Sequence, residues 1–163
     1  NYTGGALNQT TNLIITSTGA YSAYFIAQPD VPRNIIATWN ATTSGSLKLT
    51  GTDISGAAIT ENLTVSSGTT AASTKAFKTV TRIDADLTTG QTAKTVKVGT
   101  GNLLGLNEYL GTYDQVSDTY VNGVIESTAA AVTKNSTVLS LNTVDTASAP
   151  GGYVTLVYYA LKG

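Results

Sequence analysis

Apolar residues recur at every second position along most of the chain. Residues 34–40 (NIIATWN) place Ile35, Ala37 and Trp39 on one face of an extended segment. This period predicts β-strands, because successive side chains of a strand point to opposite faces. Thr and Ser supply 43 of the 163 residues, and the β-branched Thr favours extended backbone. The chain is therefore expected to be an all-β protein.

The strand-like segments are short and evenly spaced. About ten of them recur at intervals of roughly 8–12 residues, which is typical of an antiparallel β-sandwich, a jelly roll or a barrel. Little or no helix is expected, since no segment keeps a helical period over two turns. Residues 137–144 are expected to be a strand, residues 67–74 (SGTTAAST) a polar connection, and residues 129–132 a helical turn or a loop.

Two prolines, Pro29 and Pro32, interrupt the pattern near the start of the chain. Each fixes φ and removes a backbone donor, so the segment around them is expected to end any preceding strand. We expect residues 29–163 to form a single β-sandwich domain. Residues 1–28 are expected to be an N-terminal arm or additional strands.

Two stretches carry hairpin signals. Residues 49–65 (LTGTDISGAAITENLTV) hold two alternating runs around a loop that contains Asp53. A calcium loop needs several carboxylates close together, so we interpret Asp53 as a turn residue that accepts hydrogen bonds from its own backbone. Glu61 interrupts the apolar face of the second run, which predicts an edge strand or a bulge. The dipeptide Asn122-Gly123 predicts a second, tight hairpin.

The residue types used most often in catalysis are missing, because the chain has no His and no Cys. This removes the usual general base, the usual nucleophile–base pairs and most transition-metal ligands. Residues 99–105 (GTGNLLG) place the third glycine one residue later than a dinucleotide motif does and are interpreted as a bend or bulge. Asp84 and Asp86 point the same way and could share a cation, although a solvated strand end is the simpler interpretation. We predict no catalytic residue, no metal ligand and no cofactor, and hence no enzyme.

The distribution of charged and apolar residues argues against two classes of partner, nucleic acids and membranes. Nine basic and ten acidic residues are scattered singly and give a net charge of −1. No Lys/Arg cluster exists to neutralise phosphates, so a nucleic-acid partner is not expected. No apolar run approaches the ~20 residues of a membrane helix, so a membrane partner is not expected either.

Three of the nine tyrosines, Tyr109, Tyr113 and Tyr120, lie in or beside the least regular segment, residues 106–117. Exposed aromatic rings form protein interfaces or stack on sugars, and irregular segments often carry contacts. These tyrosines are the candidate interface residues, with burial in the core as the alternative.

Several phrases together resemble a known class of proteins: PDVPRNIIATW, LTGTDISGAAITENLTV, TKAFKTVTRI, VGTGNLLGL, YVNGVIE and APGGYVTLVYY. They are similar to small β-rich virion proteins of tailed phages and related archaeal viruses, over about residues 29–160. The resemblance brings no catalytic motif. It implies decoration or stabilisation of the outer capsid lattice, with localisation on the capsid surface. The implied partners are the major capsid protein and further copies of the chain, and a trimer would fit three-fold lattice positions.

Other functions fit the same composition. A phage tail component is a close alternative. A secreted cell-surface or pilus-type subunit is compatible with the Ser/Thr richness, the missing Cys and the Asn-x-Ser/Thr sequons. A carbohydrate-binding β-sandwich would need a planar aromatic platform on one face, for which the three tyrosines are the candidates.

Overall fold

Two antiparallel sheets make up the computed structural model, which describes residues 12–15, 19–23, 28–87, 94–112, 114–128, 130–146 and 154–159. Within these residues there are eleven strands, one 3-10 turn (Leu139–Leu141) and no α-helix. Eight strands form the main sheet, and β7, β8 and β11 form a three-stranded sheet. The all-β expectation is confirmed. The strands are β1 (Asn12–Ile15), β2 (Gly19–Ala23), β3 (Arg33–Thr52), β4 (Ala58–Ala72), β5 (Thr79–Leu87), β6 (Lys94–Gly105), β7 (Gln115–Val121), β8 (Val124–Ile125), β9 (Ala131–Thr133), β10 (Thr143–Asp145) and β11 (Val154–Tyr159).

The long strand β3 organises the main sheet. It joins the extended segment at residues 34–40 and the first alternating run of residues 49–65 in one strand, so the expectation of short strands is wrong here. One edge of β3 pairs with β4. The other edge is shared, because β6 pairs with the first half of β3 and β5 pairs with the second half.

Strand β3 curls so that both of its ends reach one short segment. Arg33, its first residue, exchanges two backbone hydrogen bonds with Phe77, at 3.1 and 2.8 Å. Thr52, its last residue, accepts a hydrogen bond from the Lys78 backbone N–H at 2.8 Å. A straight strand of this length would hold its ends roughly 60 Å apart. The register shifts between Thr38 and Gly45 lie near the middle of the strand, where a bend is needed.

Side chains from both halves of β3 enter one hydrophobic core. The alternation predicted from the sequence is confirmed, since Ile35, Ala37, Leu47 and Leu49 are fully buried and Trp39 is 3% exposed. Burial of this apolar surface is the main force that holds the sheet in its curled form. The other buried members of the core are Leu63, Val65, Phe77, Val80, Ile83, Ala85, Val96 and Val98.

The polar connection expected at residues 67–74 is wrong, because β4 continues to Ala72. Ala72 and Thr70 pair with Ile36 and Thr38 in the first half of β3. Ladder hydrogen bonds join backbone groups, so a strand does not need apolar side chains where its partner is already in place. The irregularity that the polar composition signals is a bulge at Ser67, whose φ is 49°.

The glycine-rich segment 99–105 is part of strand β6 and carries a bulge, as the sequence suggests. Between Ile35 and Arg33, β3 advances two residues while β6 advances four, from Thr100 to Leu104. A Cβ at Gly101 would lie 2.3 Å from the Asn34 Oδ1. That oxygen accepts a hydrogen bond from the Leu103 backbone N–H at 3.1 Å, so Asn34 fills the bulge.

Two expectations near the C-terminus are wrong. Residues 131–133 form β9, which pairs with β10, instead of a helical turn or loop. Of residues 137–144, only Thr143 and Val144 belong to a strand, and Leu139–Leu141 form the 3-10 turn. The cause is the Asn135 Oδ1, which accepts hydrogen bonds from the backbone N–H groups of Thr137 and Val138 at 3.0 and 2.7 Å and so turns the chain.

Strands β1 and β2 extend the main sheet from the first 28 residues. Residues 12–15 of β1 pair with residues 94–97 of β6, and residues 19–23 of β2 pair with residues 83–87 of β5. Strand β1 is thus antiparallel to β6, and strand β2 is antiparallel to β5. The division of the chain into an arm and a domain stays a prediction.

A substitution at Gly51 tests whether β5 approaches the end of β3 as closely as the structure indicates. A Cβ at Gly51 would lie 1.9 Å from the Thr79 backbone oxygen, so Gly51→Ala should lower the free energy of unfolding by about 1–3 kcal/mol through overpacking. Urea denaturation measures this change. Gly111→Ala is the control, because its Cβ would meet only the Asp114 carboxylate, at 3.7 Å. Equal effects of the two substitutions would contradict the packing argument.

Candidate interaction surfaces

Several connections meet at one end of the main sheet, which we call the loop end. Backbone hydrogen bonds tie them together: the Gly105 N–H donates to the Pro32 oxygen at 2.8 Å, and the Ala76 N–H donates to the Ser140 oxygen at 2.9 Å. The bond from Lys78 to Thr52 brings the β3–β4 loop to the same end. The loop end comprises residues 28–32, 53–57, 73–78, 106–112 and 134–142.

Asn142 is the polar centre of the loop end and has no exposed surface. Its Oδ1 accepts hydrogen bonds from the backbone N–H groups of Leu110 at 3.1 Å and Asn135 at 2.8 Å. Its Nδ2 donates to the backbone oxygens of Asn135 at 2.8 Å and Val138 at 3.1 Å. One amide therefore joins residues 106–112 to residues 134–142. Sequence reasoning missed this residue, because a buried asparagine carries no local pattern.

A second polar contact fixes the proline-containing segment. The Arg33 Nε and Nη2 donate to the two carboxylate oxygens of Asp30 at 2.8 and 3.1 Å. The Arg33 side chain is only 10% exposed, whereas that of Asp30 is 67% exposed. The hydrogen bond from Arg33 lowers the pKa of Asp30 below its usual value. The ion pair thus anchors residues 28–32 to the start of β3.

The carboxylates of Asp53 and Glu61 stabilise loops. Asp53 Oδ1 accepts hydrogen bonds from the Ser55 N–H at 2.9 Å and the Ala57 N–H at 3.0 Å, which confirms the turn interpretation. Glu61 accepts from the backbone N–H groups of Thr74 at 2.7 Å and Lys75 at 2.9 Å. Among the described strands β4 pairs with β3 alone, so Glu61 lies in an edge strand, as the sequence predicts.

The candidate tyrosines lie on different elements. Tyr109 belongs to the loop end and is 55% exposed. Tyr120 lies in β7, is half-buried and pairs with Ile125 of β8. Tyr113 lies outside the described residues. The interface role of the three stays a prediction.

The predicted Asn122-Gly123 hairpin is confirmed. Both residues have positive φ, 53° and 78°, as a type I′ turn requires, and they connect β7 to β8. The turn places Val124 at the tip of the three-stranded sheet, where it is 69% exposed.

Large exposed apolar side chains fall into two groups over the described part of the chain. The first group belongs to the loop end and the second to the three-stranded sheet. Sequence periodicity indicates which face of a strand is buried but carries no information on loop side chains, so the first group was found only in part, through Tyr109. The first group is Val31, Ile54, Tyr109 and Val138. The second group is Val124, Ile125 and Val157.

Three acidic side chains, Asp84, Asp114 and Asp118, are each bound to a neighbouring residue of the chain. Asp84 lies within β5, where it pairs with Ser22 and Lys48, so the solvated strand end expected for Asp84 and Asp86 is wrong for Asp84. Its Oδ1 lies 2.7 Å from the Arg82 Nε. Asp114 accepts a hydrogen bond from the Gly111 N–H at 2.7 Å, and Asp118 accepts one from the Ser117 hydroxyl at 2.8 Å. Across the described ranges, no three acidic side chains come together as a potential metal site.

None of the described segments is a helix long and apolar enough to cross a membrane. Comparison of the chain with models of protein families, with curated proteins and with solved structures found no match.

Asn142→Asp tests the polar centre of the loop end. A carboxylate cannot donate to the carbonyl oxygens of Asn135 and Val138, so the free energy of unfolding should fall by about 3 kcal/mol at neutral pH. Urea denaturation measures the loss. Asn107→Asp, at an exposed position of the same loop end, should change stability by less than about 0.5 kcal/mol. Similar losses in both variants would rule out a special role for Asn142.

The Asp30–Arg33 contact should make stability depend on pH. The pKa of Asp30 is lowered in the folded protein, so the contact stabilises the fold above the unfolded value of about 3.9 and is lost as the pH falls through the lowered value. The difference in unfolding free energy between the wild type and Asp30→Asn should therefore be largest near neutrality and shrink in acid. It should also shrink in 1 M salt, since Asp30 is largely exposed. A difference that stays constant from pH 7 to pH 2 would refute this assignment.

Proposed function

We propose that the protein is a non-enzymatic structural component of a virion that binds and stabilises the outer capsid lattice. The observation that carries the proposal is the loop end, where four exposed apolar side chains lie on connections held by hydrogen bonds to the buried residues Asn142, Arg33 and Asp53. Exposed apolar residues supported in this way are typical of protein interfaces. The partners in this proposal are the major capsid protein and further copies of the chain.

Rigidity supports binding by the loop end. Val138 adjoins the turn held by Asn135 and Asn142, and Tyr109 precedes Leu110, whose N–H binds Asn142. Val31 adjoins Asp30, which Arg33 holds. Side chains on loops that are already ordered lose little conformational entropy on binding, so more of their contact energy is available as affinity. A cementing protein needs such surfaces, because it must add stability to an existing lattice.

The fold is consistent with this role. We propose that the curled main sheet is a β-sandwich, with the two halves of β3 contributing to facing layers. In this arrangement the loop end closes one end of the sandwich, as connections between strands usually do.

Strand β4 supports a second mode of contact. Its segment 66–72 has neither a charged residue nor a proline, and both commonly protect an exposed edge from pairing. Near the other end of β4, the Lys75 Nζ donates to the Thr60 backbone oxygen at 2.8 Å and occupies part of the edge. The later part of the strand is suited to accept a strand from a neighbour.

The same edge favours one other function. Pilus-type and other cell-surface subunits assemble by adding a strand of one subunit to the sheet of the next. A tail component is a further alternative within the virion. Immunogold labelling of particles and host cells distinguishes the three, since label on the capsid surface is expected only for the decoration protein.

The proposal predicts that particles lacking the protein lose capsid integrity at a lower temperature, and that added protein restores it. Tyr109→Ser combined with Val138→Ser should weaken binding to these particles about tenfold or more, because two apolar contacts are lost. Asn62→Ser, at an exposed position of β4, is the control and should bind normally. Co-sedimentation measures binding. Unchanged thermal stability of particles without the protein would reject the cementing role.

A further inference from the structure

A groove lies on the outer side of the main sheet, away from the hydrophobic core. Its volume is about 310 Å³, and it is lined by Ile36, Thr38, Lys97, Gly99 and Thr100. Of these, Ile36, Thr38, Lys97 and Gly99 alternate with the buried Ile35, Ala37, Val96 and Val98 of the same two strands, so they face outward.

The groove combines an apolar floor with one positive charge. Ile36 pairs with Gly99, which has no side chain to cover it, and Thr38 pairs with Lys97. Lys97 is exposed, and its ammonium group forms no hydrogen bond or ion pair with any residue that the structure describes. A complementary surface would therefore present apolar groups and one negative charge.

The outward face of the three-stranded sheet has this composition. Tyr120 pairs with Ile125 and Asp118 pairs with Val157, and because Asp118 and Tyr120 are two residues apart all four share one face. The intervening Thr119 is 4% exposed, which places the opposite face inside the protein. On the outward face Ile125 is 55% exposed and Val157 is 37% exposed.

We infer that this face of one copy docks on the groove of a second copy. The inference rests on the proposed function, for which it supplies the contact between neighbouring copies. Charge decides the orientation. Two sheet faces together would bury two negative charges in one contact, and two grooves would bury two positive charges. A face against a groove pairs Asp118 with Lys97 and lays Tyr120 and Ile125 towards Ile36, so the complementary contact is head-to-tail.

A head-to-tail contact has consequences for assembly. Each copy uses both surfaces, so association continues until a ring closes or a filament grows. A ring of three copies has the symmetry of a three-fold lattice position. The contact includes an exposed ion pair, so assembly should weaken as salt is added.

A charge exchange tests the inference. Wild-type protein should associate beyond a monomer in low salt, as measured by sedimentation velocity over a range of concentrations. Asp118→Lys and Lys97→Asp should each weaken association at least tenfold, and the double variant should recover it. Lys48→Asp, at an exposed position of β3 outside the groove, is the matched control and should associate like the wild type.

Mixing gives a second measurement if the double variant does not fold. The groove of Asp118→Lys and the face of Lys97→Asp are both intact, so an equimolar mixture of the two single variants should associate where each alone does not. Circular dichroism confirms that each variant is folded. Equal association of the wild type and both single variants would overturn the inference, as would a mixture that stays monomeric.

Capsid binding separates this inference from the proposed function. A wild-type protein that is monomeric at all concentrations yet decorates capsids would overturn the head-to-tail contact and leave the decoration role intact. A protein that assembles through the Asp118–Lys97 pair but does not bind capsids would support the contact and reject decoration.

Discussion

The backbone hydrogen bonds between segment 77–78 and the two ends of β3 are the constraint on which the rest of the structure depends. They hold Arg33 and Thr52 against the same short stretch of chain, and so convert one long strand into the wall of a core. Both halves of β3 then bury their apolar faces together. The same closure brings the connections of the loop end side by side, which turns separate loops into one surface.

Buried polar groups stabilise that surface where apolar packing does not. Asn142, Asp53 and Arg33 are each buried and each binds atoms of more than one residue. A buried polar group without partners costs roughly 1–3 kcal/mol. Such groups therefore penalise alternative loop conformations, and the result is an ordered surface that can carry exposed apolar side chains for binding.

Local patterns predicted the local structure well. The alternation around Trp39, the loop at Asp53, the edge position of Glu61 and the Asn122-Gly123 turn all depend on neighbours in the sequence. Two of the failures share one physical cause. Residues 67–72 and 131–133 become strands because distant backbones pair with them. The strand expected at residues 137–144 is replaced by a turn that the Asn135 side chain caps locally and the buried Asn142 holds in place. Of the exposed apolar side chains of the loop end the sequence pointed only to Tyr109, since nothing local marks Val31 or Val138 as exposed.

The sequence by itself determined that this chain forms antiparallel strands, because a period of two and β-branched side chains act on each residue and its immediate neighbours. It also determined the turns at Asp53 and at Asn122-Gly123, since positive φ and side-chain capping are properties of a few adjacent residues. Only the tertiary structure decided that two predicted strands are one, that both ends of it meet, and that distant loops share a surface. Those outcomes depend on contacts between residues far apart in the chain, whose free energy exists only once the sheet has curled around its core.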